Sequence, residues 1–317
     1  MNVGYNNTIE NQQLTVLEDK SIDSNKYAVW HIEGGLGKNI AATSLIKDVR
    51  EKYSDRKLIM VVSYPEIFLN NPFIDRVYRV GATSYFYDDY IKDKDTIVFR
   101  HEPYFQSDHI MKKKHLISNW CDLFNINYTS QLPEIYSNVV QNTFLRNWKR
   151  DRPIMLLHTN GGFYESNQSY SWTRDMPFPL ALSIAEKYST YYHIIQIAKP
   201  SSNLIPNVEH VTHRVSNFEL FSLLAASEKR ILIDSSLQHA SVAMGLESIV
   251  LWVGTSPTNF GYDFHKNIVA KQPKNNLKLI DSYLFDYSFD GVHYECPYTS
   301  FDEMFNVNEI FENIEAG

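Results

Sequence analysis

KRILIDSSLQHASVAMGLESIVLWVGTSP, residues 229 to 257, runs from an apolar strand through a sharp polar turn into a helix of small residues, then a second apolar strand and a second polar turn. Two apolar strands joined through a helix form a parallel β-α-β unit, the building block of an open α/β sheet. Ligands of such sheets bind outside the carboxyl ends of the strands, where both polar turns of this stretch open. The first N–H groups of the helix after Asp234 have no partner within that helix. Together with the helix dipole they make an anion site into which a diphosphate fits. Ser235 and Ser236 add hydroxyl donors, and Gly254, Thr255 and Ser256 bring a second donor-rich turn alongside. The plainer alternative is that Asp234 and Ser236 only cap the helix. His239, one turn into a helix lined by Ala240, Ser241, Ala243 and Gly245, is expected beside whatever occupies the helix start, or else is a satisfied structural histidine.

Outward from this unit the same alternation recurs. Strand patterns lie at 27–32, 58–62 and 96–99, with a helix from Asn39 to Tyr53 whose Ala42, Leu45, Ile46, Val49 and Tyr53 share one face. After Pro153 come a strand ending at His158, a helix over Pro177–Tyr188, a strand at 193–197, a helix over Asn217–Ser227 and strands at 231–233 and 249–253. Met304, Phe305, Val307, Ile310, Phe311 and Ile314 outline a closing helix. A chain of 317 residues has the length of two domains. The expected organisation is a polar leader over 1–26, a Rossmann-like domain over 27–148, a second one over 149–300 and a closing helix over 301–317.

Composition excludes several classes. A net charge of −7 argues against a broad nucleic-acid surface, the local exceptions being Lys112 to Lys114 and the group Arg146, Lys149, Arg150 and Arg152. No apolar run reaches the roughly 18 residues of a membrane span, so a soluble, cytoplasmic protein is expected. Cys121 and Cys296 stand apart and read as reduced structural thiols. The acidic runs at 87–90 and 93–95 read as loop, and His101, His109 and His115 lack a metal-ligand spacing, so no metal or other cofactor is expected.

Near the amino terminus, HIEGGLGKNIAATSLIKD (His31–Asp48) invites a phosphate-loop reading. A Walker A motif would need glycine in place of Ile32 and Ser or Thr in place of Asn39, and the spacing of Gly34, Gly35 and Gly37 misses the dinucleotide fingerprint.

The stretch DSSLQHASVAMGLESIVLWVGTSP resembles, without a gap, the DSGPMHLAAALGTPVVALFGPTDP signature of glycosyltransferase family 9, the heptosyltransferase-like GT-B enzymes. Asp234, Ser235, His239, Ala240, Gly245, Gly254 and Pro257 match, whereas Ser236 and Leu237 stand where the family has Gly-Pro. FLNNPFIDRVYRV (Phe68–Val80) is similar to a structural pattern of the family's first domain. LLHTNGGFYESNQSYSWTRDMPFP (Leu156–Pro179) is similar to its donor strand and loop, in which a lysine three residues before a proline contacts the diphosphate; Arg174 stands there, before Pro177. Thr159, Asn160 and Gly161, in the turn His158 to Gly162, would offer donors on the same side.

The resemblance implies a GT-B fold: two doubly wound Rossmann-like domains facing a cleft, the first binding an acceptor and the second a nucleotide-sugar donor. It also implies metal-independent transfer of a sugar to a hydroxyl, of a saccharide rather than a nucleic acid, with inversion. By the same resemblance Gly34, Gly35 and Gly37 would form an acceptor-side loop, in which these glycines let a ligand approach the backbone. One departure stands out. Where the family has an aspartate acting as general base, this chain has Lys38, and an ammonium does not accept a proton at neutral pH. Glu33 is the first candidate for that role and Glu102 the second. Lys38 would neutralise an anionic acceptor or the donor phosphates, or is a solvated lysine. Two further readings stay open: a transferase acting on a modified base in DNA, and a nucleotide-sugar-binding protein without catalysis. The sugar, the nucleotide base and the oligomeric state are not legible.

Overall fold

The computed structural model describes residues 25–136, 144–161, 171–212, 215–271, 296 and 298–316. Most of the polar leader and Gly162 lie outside them. Two all-parallel sheets account for the strands. The first has the order β3-β2-β1-β4, from β1 (Lys26–Ile32), β2 (Lys57–Val62), β3 (Arg76–Arg79) and β4 (Asp95–Phe99). The second has the order β10-β9-β8-β5-β6-β7, from β5 (Ile154–His158), β6 (His193–Ile197), β7 (Glu209–Val211), β8 (Ser227–Ile233), β9 (Ile249–Trp252) and β10 (Lys266–Val269). The outer strands β3, β7 and β10, three or four residues long and only partly buried, escape sequence reading because they carry no sustained apolar run.

The crossover helices follow the expected pattern with two breaks. Between β1 and β2 the helix begins at Leu36 and is interrupted. α1 (Leu36–Ala42) and α2 (Ile46–Lys52) flank a tighter turn in which Thr43 Oγ1 and Ser44 Oγ donate back to the carbonyls of Ile40 and Ala41, at 2.6 and 2.7 Å. The closing helix is likewise split, into Phe301–Met304 and Val307–Ala316. The other helices used below are α3 (Leu116–Phe124), α4 (Phe178–Tyr188), α5 (Asn217–Ala226) and α6 (Ser236–Ala243).

Trp30 on β1 packs edge-on to Trp120 and Phe124 of α3, at 5.8 and 4.8 Å between rings, and all three are buried. In the stretch similar to the family's structural pattern, Asp75 accepts from the Leu58 amide at 2.7 Å and from Arg50 at 2.9 Å, tying the entry of β2 to α2. The largest core cluster does not stop at either sheet: it joins Trp30, Leu45 and Trp120 to Leu156, Leu232 and Trp252.

What joins the halves is a close approach of α1 to α6. A Cβ on Gly37 would lie 2.9 Å from His239 Cδ2 and 3.4 Å from the Ser236 Cα. Only a residue without a side chain fits there. A second tie runs from Asn259 Nδ2 to the His109 carbonyl at 2.7 Å. Gly37→Ala is expected to cost about 1–3 kcal/mol through overpacking and to lower the melting temperature. Gly35→Ala, where an added Cβ meets nothing within 4 Å, is the control; equal melting of the two variants in calorimetry would contradict this packing.

Candidate functional site

In the second sheet β9, β8 and β5 are neighbours, so the turns after Trp252, Ile233 and His158 emerge side by side at one edge. Apart from Ser236 and His239, which belong to α6, each candidate donor residue lies on one of these turns or on the segment Thr173–Met176 that crosses them. Arg174 Nε lies 3.9 Å from Asp234 Oδ2. Asp234 is nearly fully buried, and that burial raises its pKa against the opposing pull of Arg174. The buried Thr255 hydroxyl faces the same carboxylate without a hydrogen bond of ordinary geometry.

The helix start differs in detail from the sequence reading. Ser235, rather than Asp234 or Ser236, is the cap: its Oγ accepts from the Leu237 amide at 3.3 Å, which leaves its proton for His158 Nδ1 at 3.0 Å. Ser236 is the first helical residue. In the second turn the Gly254 amide donates to the Thr173 carbonyl at 2.6 Å, and Ser256 Oγ caps the short helix Pro257–Phe260 by accepting from Thr258. Both groups therefore hold the turn together. Thr159 and Asn160 are similarly engaged. The Thr159 hydroxyl sits between Gln196 and Asn160, each at 3.0 Å, and Asn160 and Gly161 donate to Asp175 at 2.9 and 3.1 Å.

His239 points into the junction between the halves. Gln238 Nε2 donates to its Nε2 at 3.1 Å, so the ring proton is on Nδ1 and meets the Tyr262 hydroxyl at 2.7 Å. Burial first, then the imidazoles of His115 and His265, push its pKa down to about 3. It is a neutral, satisfied histidine that packs on Gly37.

On the other side of this junction, Lys38 and Glu102 come together and Glu33 does not join them. Lys38 Nζ meets Glu102 Oε2 at 2.5 Å and lies 5.3 Å from the centre of the Tyr104 ring, with the lysine side chain only 6% exposed. Gly34, at φ +108°, leaves room for the folded lysine stem, whose Cδ would touch a Cβ there at 3.3 Å. Glu33, about half exposed, pairs with Arg100 at 2.8 Å and His31 at 3.2 Å.

Asp175, Tyr104 and Tyr262 take part in this arrangement and were not singled out by sequence. An aspartate next to an arginine reads as a solvated pair, and a tyrosine's partner across the fold leaves no local pattern.

Known proteins resemble this chain in structure and not in sequence. No protein-family model matches it, and no curated protein matches it by sequence. Solved structures do match. The glycosyl transferase family 9 protein of Veillonella parvula DSM 2008 superposes with a TM-score of 0.65 at 12% identity, over 93% of this chain and 98% of that one. The chain shares the fold of the family 9 glycosyltransferases. The iron-containing dodecameric glycosyltransferase TibC of enterotoxigenic E. coli H10407 matches with a TM-score of 0.62 at 14% identity, over 94% and 80% of the two chains. E. coli ADP-heptose lps heptosyltransferase II matches with a TM-score of 0.57 at 11% identity, over 77% and 89%. Among the described residues of this family 9 fold, no cluster of three or more His, Cys, Asp or Glu has a metal-binding arrangement, and no helix is long and apolar enough to cross a membrane.

The buried histidines make stability depend on pH. Burial is the leading cause that pushes His109, His115 and His158 down to about 4, and His239 lower still. An unfolded histidine titrates near 6.5, so below that pH the unfolded chain binds protons that the folded one refuses. Stability is complete above about pH 6.5 and declines as the pH falls toward the folded values near 4. Melting temperature is expected to hold between about pH 8 and 7 and to fall steadily below about 6; a flat profile down to about pH 4.5 would contradict this account.

Proposed function

We propose that this chain is a glycosyltransferase of the GT-B layout that moves a sugar from a nucleoside-diphosphate sugar to an acceptor hydroxyl. The observation that carries the reading is the convergence of three strand-end turns on the Arg174–Asp234 pair, in a chain with the family 9 fold. In this reading residues 149–300 bind the donor and residues 27–148 the acceptor. Solved relatives named for ADP-heptose make ADP-linked sugars the first donors to try.

The acceptor oxygen attacks the anomeric carbon as the bond to the diphosphate breaks, so a single displacement inverts that carbon. The electron pair leaves with the diphosphate, where Arg174 and the start of α6 stabilise the growing charge. The hydroxyl proton passes to Glu102. Lys38 holds one oxygen of this carboxylate, while the side chain stays 35% exposed toward solvent. Glu33, already paired with Arg100 and His31, is the weaker candidate. No step in this scheme calls on a metal.

No observation favours DNA as acceptor. Lys114 is tied to Asp122 and Asp108, and Arg150 to Glu209, so each basic group that suggested it has a member already paired with nearby carboxylates. A saccharide hydroxyl is the acceptor proposed.

Purified protein is expected to be stabilised against heat by a nucleoside diphosphate, and to hydrolyse or transfer the matching sugar. Arg174→Ala should slow turnover roughly 10- to 1000-fold. Glu102→Gln should slow it roughly 100- to 10,000-fold, with Glu33→Gln close to wild type. If ADP, UDP, GDP and their sugars all leave the melting temperature unmoved, the reading fails; if donor binds but Glu102→Gln turns over normally, the base is elsewhere.

A further inference from the structure

Four consecutive residues, Thr173 to Met176, tie together the ends of three strands. The Thr173 carbonyl accepts from the Gly254 amide at 2.6 Å after β9, Arg174 faces Asp234 at 3.9 Å after β8, and the Met176 amide donates to the Thr159 carbonyl at 2.9 Å after β5. Asp175 makes the most specific of these ties. Its Oδ2 accepts from the Asn160 side-chain amide at 2.9 Å and its Oδ1 from the Gly161 backbone amide at 3.1 Å. One carboxylate thus fixes both a side chain and the backbone of the same turn. The turn has nowhere else to go: a Cβ on Gly161 would lie 3.3 Å from Ile233 Cδ1 and 3.9 Å from Ser235 Cβ, so it is pressed against the end of β8.

We propose that Asp175 is a positioning residue of the donor site, shaping the Thr159–Gly161 turn and, through its chain neighbour, holding Arg174 against Asp234. The inference rests on the donor reading given above. A carboxylate contacting a diphosphate directly would repel it. With both oxygens held by amide donors of the turn, Asp175 acts beneath the ligand surface, and Arg174 carries the charge that meets the anion. The Asn160 amide nitrogen is committed to Asp175, which turns its oxygen to the Thr159 hydroxyl and leaves one defined orientation for the turn.

The test is a reciprocal exchange, read as the affinity for ADP, UDP and GDP by calorimetry on the full chain. In Asp175→Asn the oxygen still accepts from Gly161, but the new amide nitrogen faces that of Asn160, two donors opposed. In Asn160→Asp two carboxylates face each other. Each single variant should bind the nucleoside diphosphate about 10-fold more weakly. The double variant, Asp175→Asn with Asn160→Asp, restores both hydrogen bonds at the same net charge and should return to within about 3-fold of wild type. A residue needed only for folding would lower the melting temperature and leave affinity unchanged. Wild-type affinity in the single variants overturns the inference, as does a double variant no better than the singles. Should either single variant fail to fold, the other and the double variant still decide. If the wild-type protein binds none of the three diphosphates, the donor reading itself is overturned and the inference goes with it. If it binds and the exchange has no effect, only the role of Asp175 is lost.

Discussion

The contact between Gly37 and the His239 ring sets the geometry of everything else. Two parallel sheets with their own crossover helices could stand at many angles to one another. Here the first turn of α1 touches the start of α6 at a distance that admits no side chain, and the core cluster runs through this junction from Trp30 to Trp252. Consequently the glycine-rich loop after β1 and the serine-rich turn after β8 lie together, although some two hundred residues separate them.

That closeness constrains the chemistry of the histidines. A charged imidazole in a junction of this kind would have to be paired or hydrated. His239 is buried, and the structure meets the constraint with a neutral ring in a chain of hydrogen bonds. Gln238 donates to His239 and to the Phe260 carbonyl, His239 meets Tyr262, and His265 meets the Gln238 carbonyl at 3.0 Å. The network fixes α6 relative to the segment Phe260–His265 without spending a charge.

How much of this the sequence discloses depends on the range of the interaction. The central strands and crossover helices were legible, because each buries a continuous apolar run or a 3.6-residue stripe. In the β-α-β unit from Lys229 to Pro257 the helix and the second strand were read to within two residues of those observed, whereas the first strand begins at Ser227, four residues before the expected start. The short outer strands β3, β7 and β10 were not, since they carry no sustained apolar run, nor was the break in the first crossover helix, caused by two hydroxyls that compete with the helix for backbone carbonyls. At the site, the placing of Arg174 beside Asp234 came from the resemblance to the family's donor loop and signature, and the two side chains do approach each other. The roles of individual donors did not: that Ser235 caps, that the Gly254 amide serves Thr173 and that Asp175 grips the neighbouring turn depend on rotamers and turn geometry, which spacing does not encode.

The lysine at position 38 is where sequence similarity and physical chemistry pull apart, and the sheet order reconciles them. β1 and β4 are adjacent and parallel, so the residues just beyond their carboxyl ends emerge at the same edge. The carboxylate that meets Lys38 therefore comes from the neighbouring strand: Glu102, three residues beyond β4, reaches it at 2.5 Å. The exchange has a condition. An ammonium only 6% exposed needs a counter-charge, and the Tyr104 ring adds its electron-rich face to that of Glu102. Position 38 can thus hold a cation only while position 102 holds an anion, which makes the two residues one electrostatic unit rather than a buried lysine beside an unrelated glutamate.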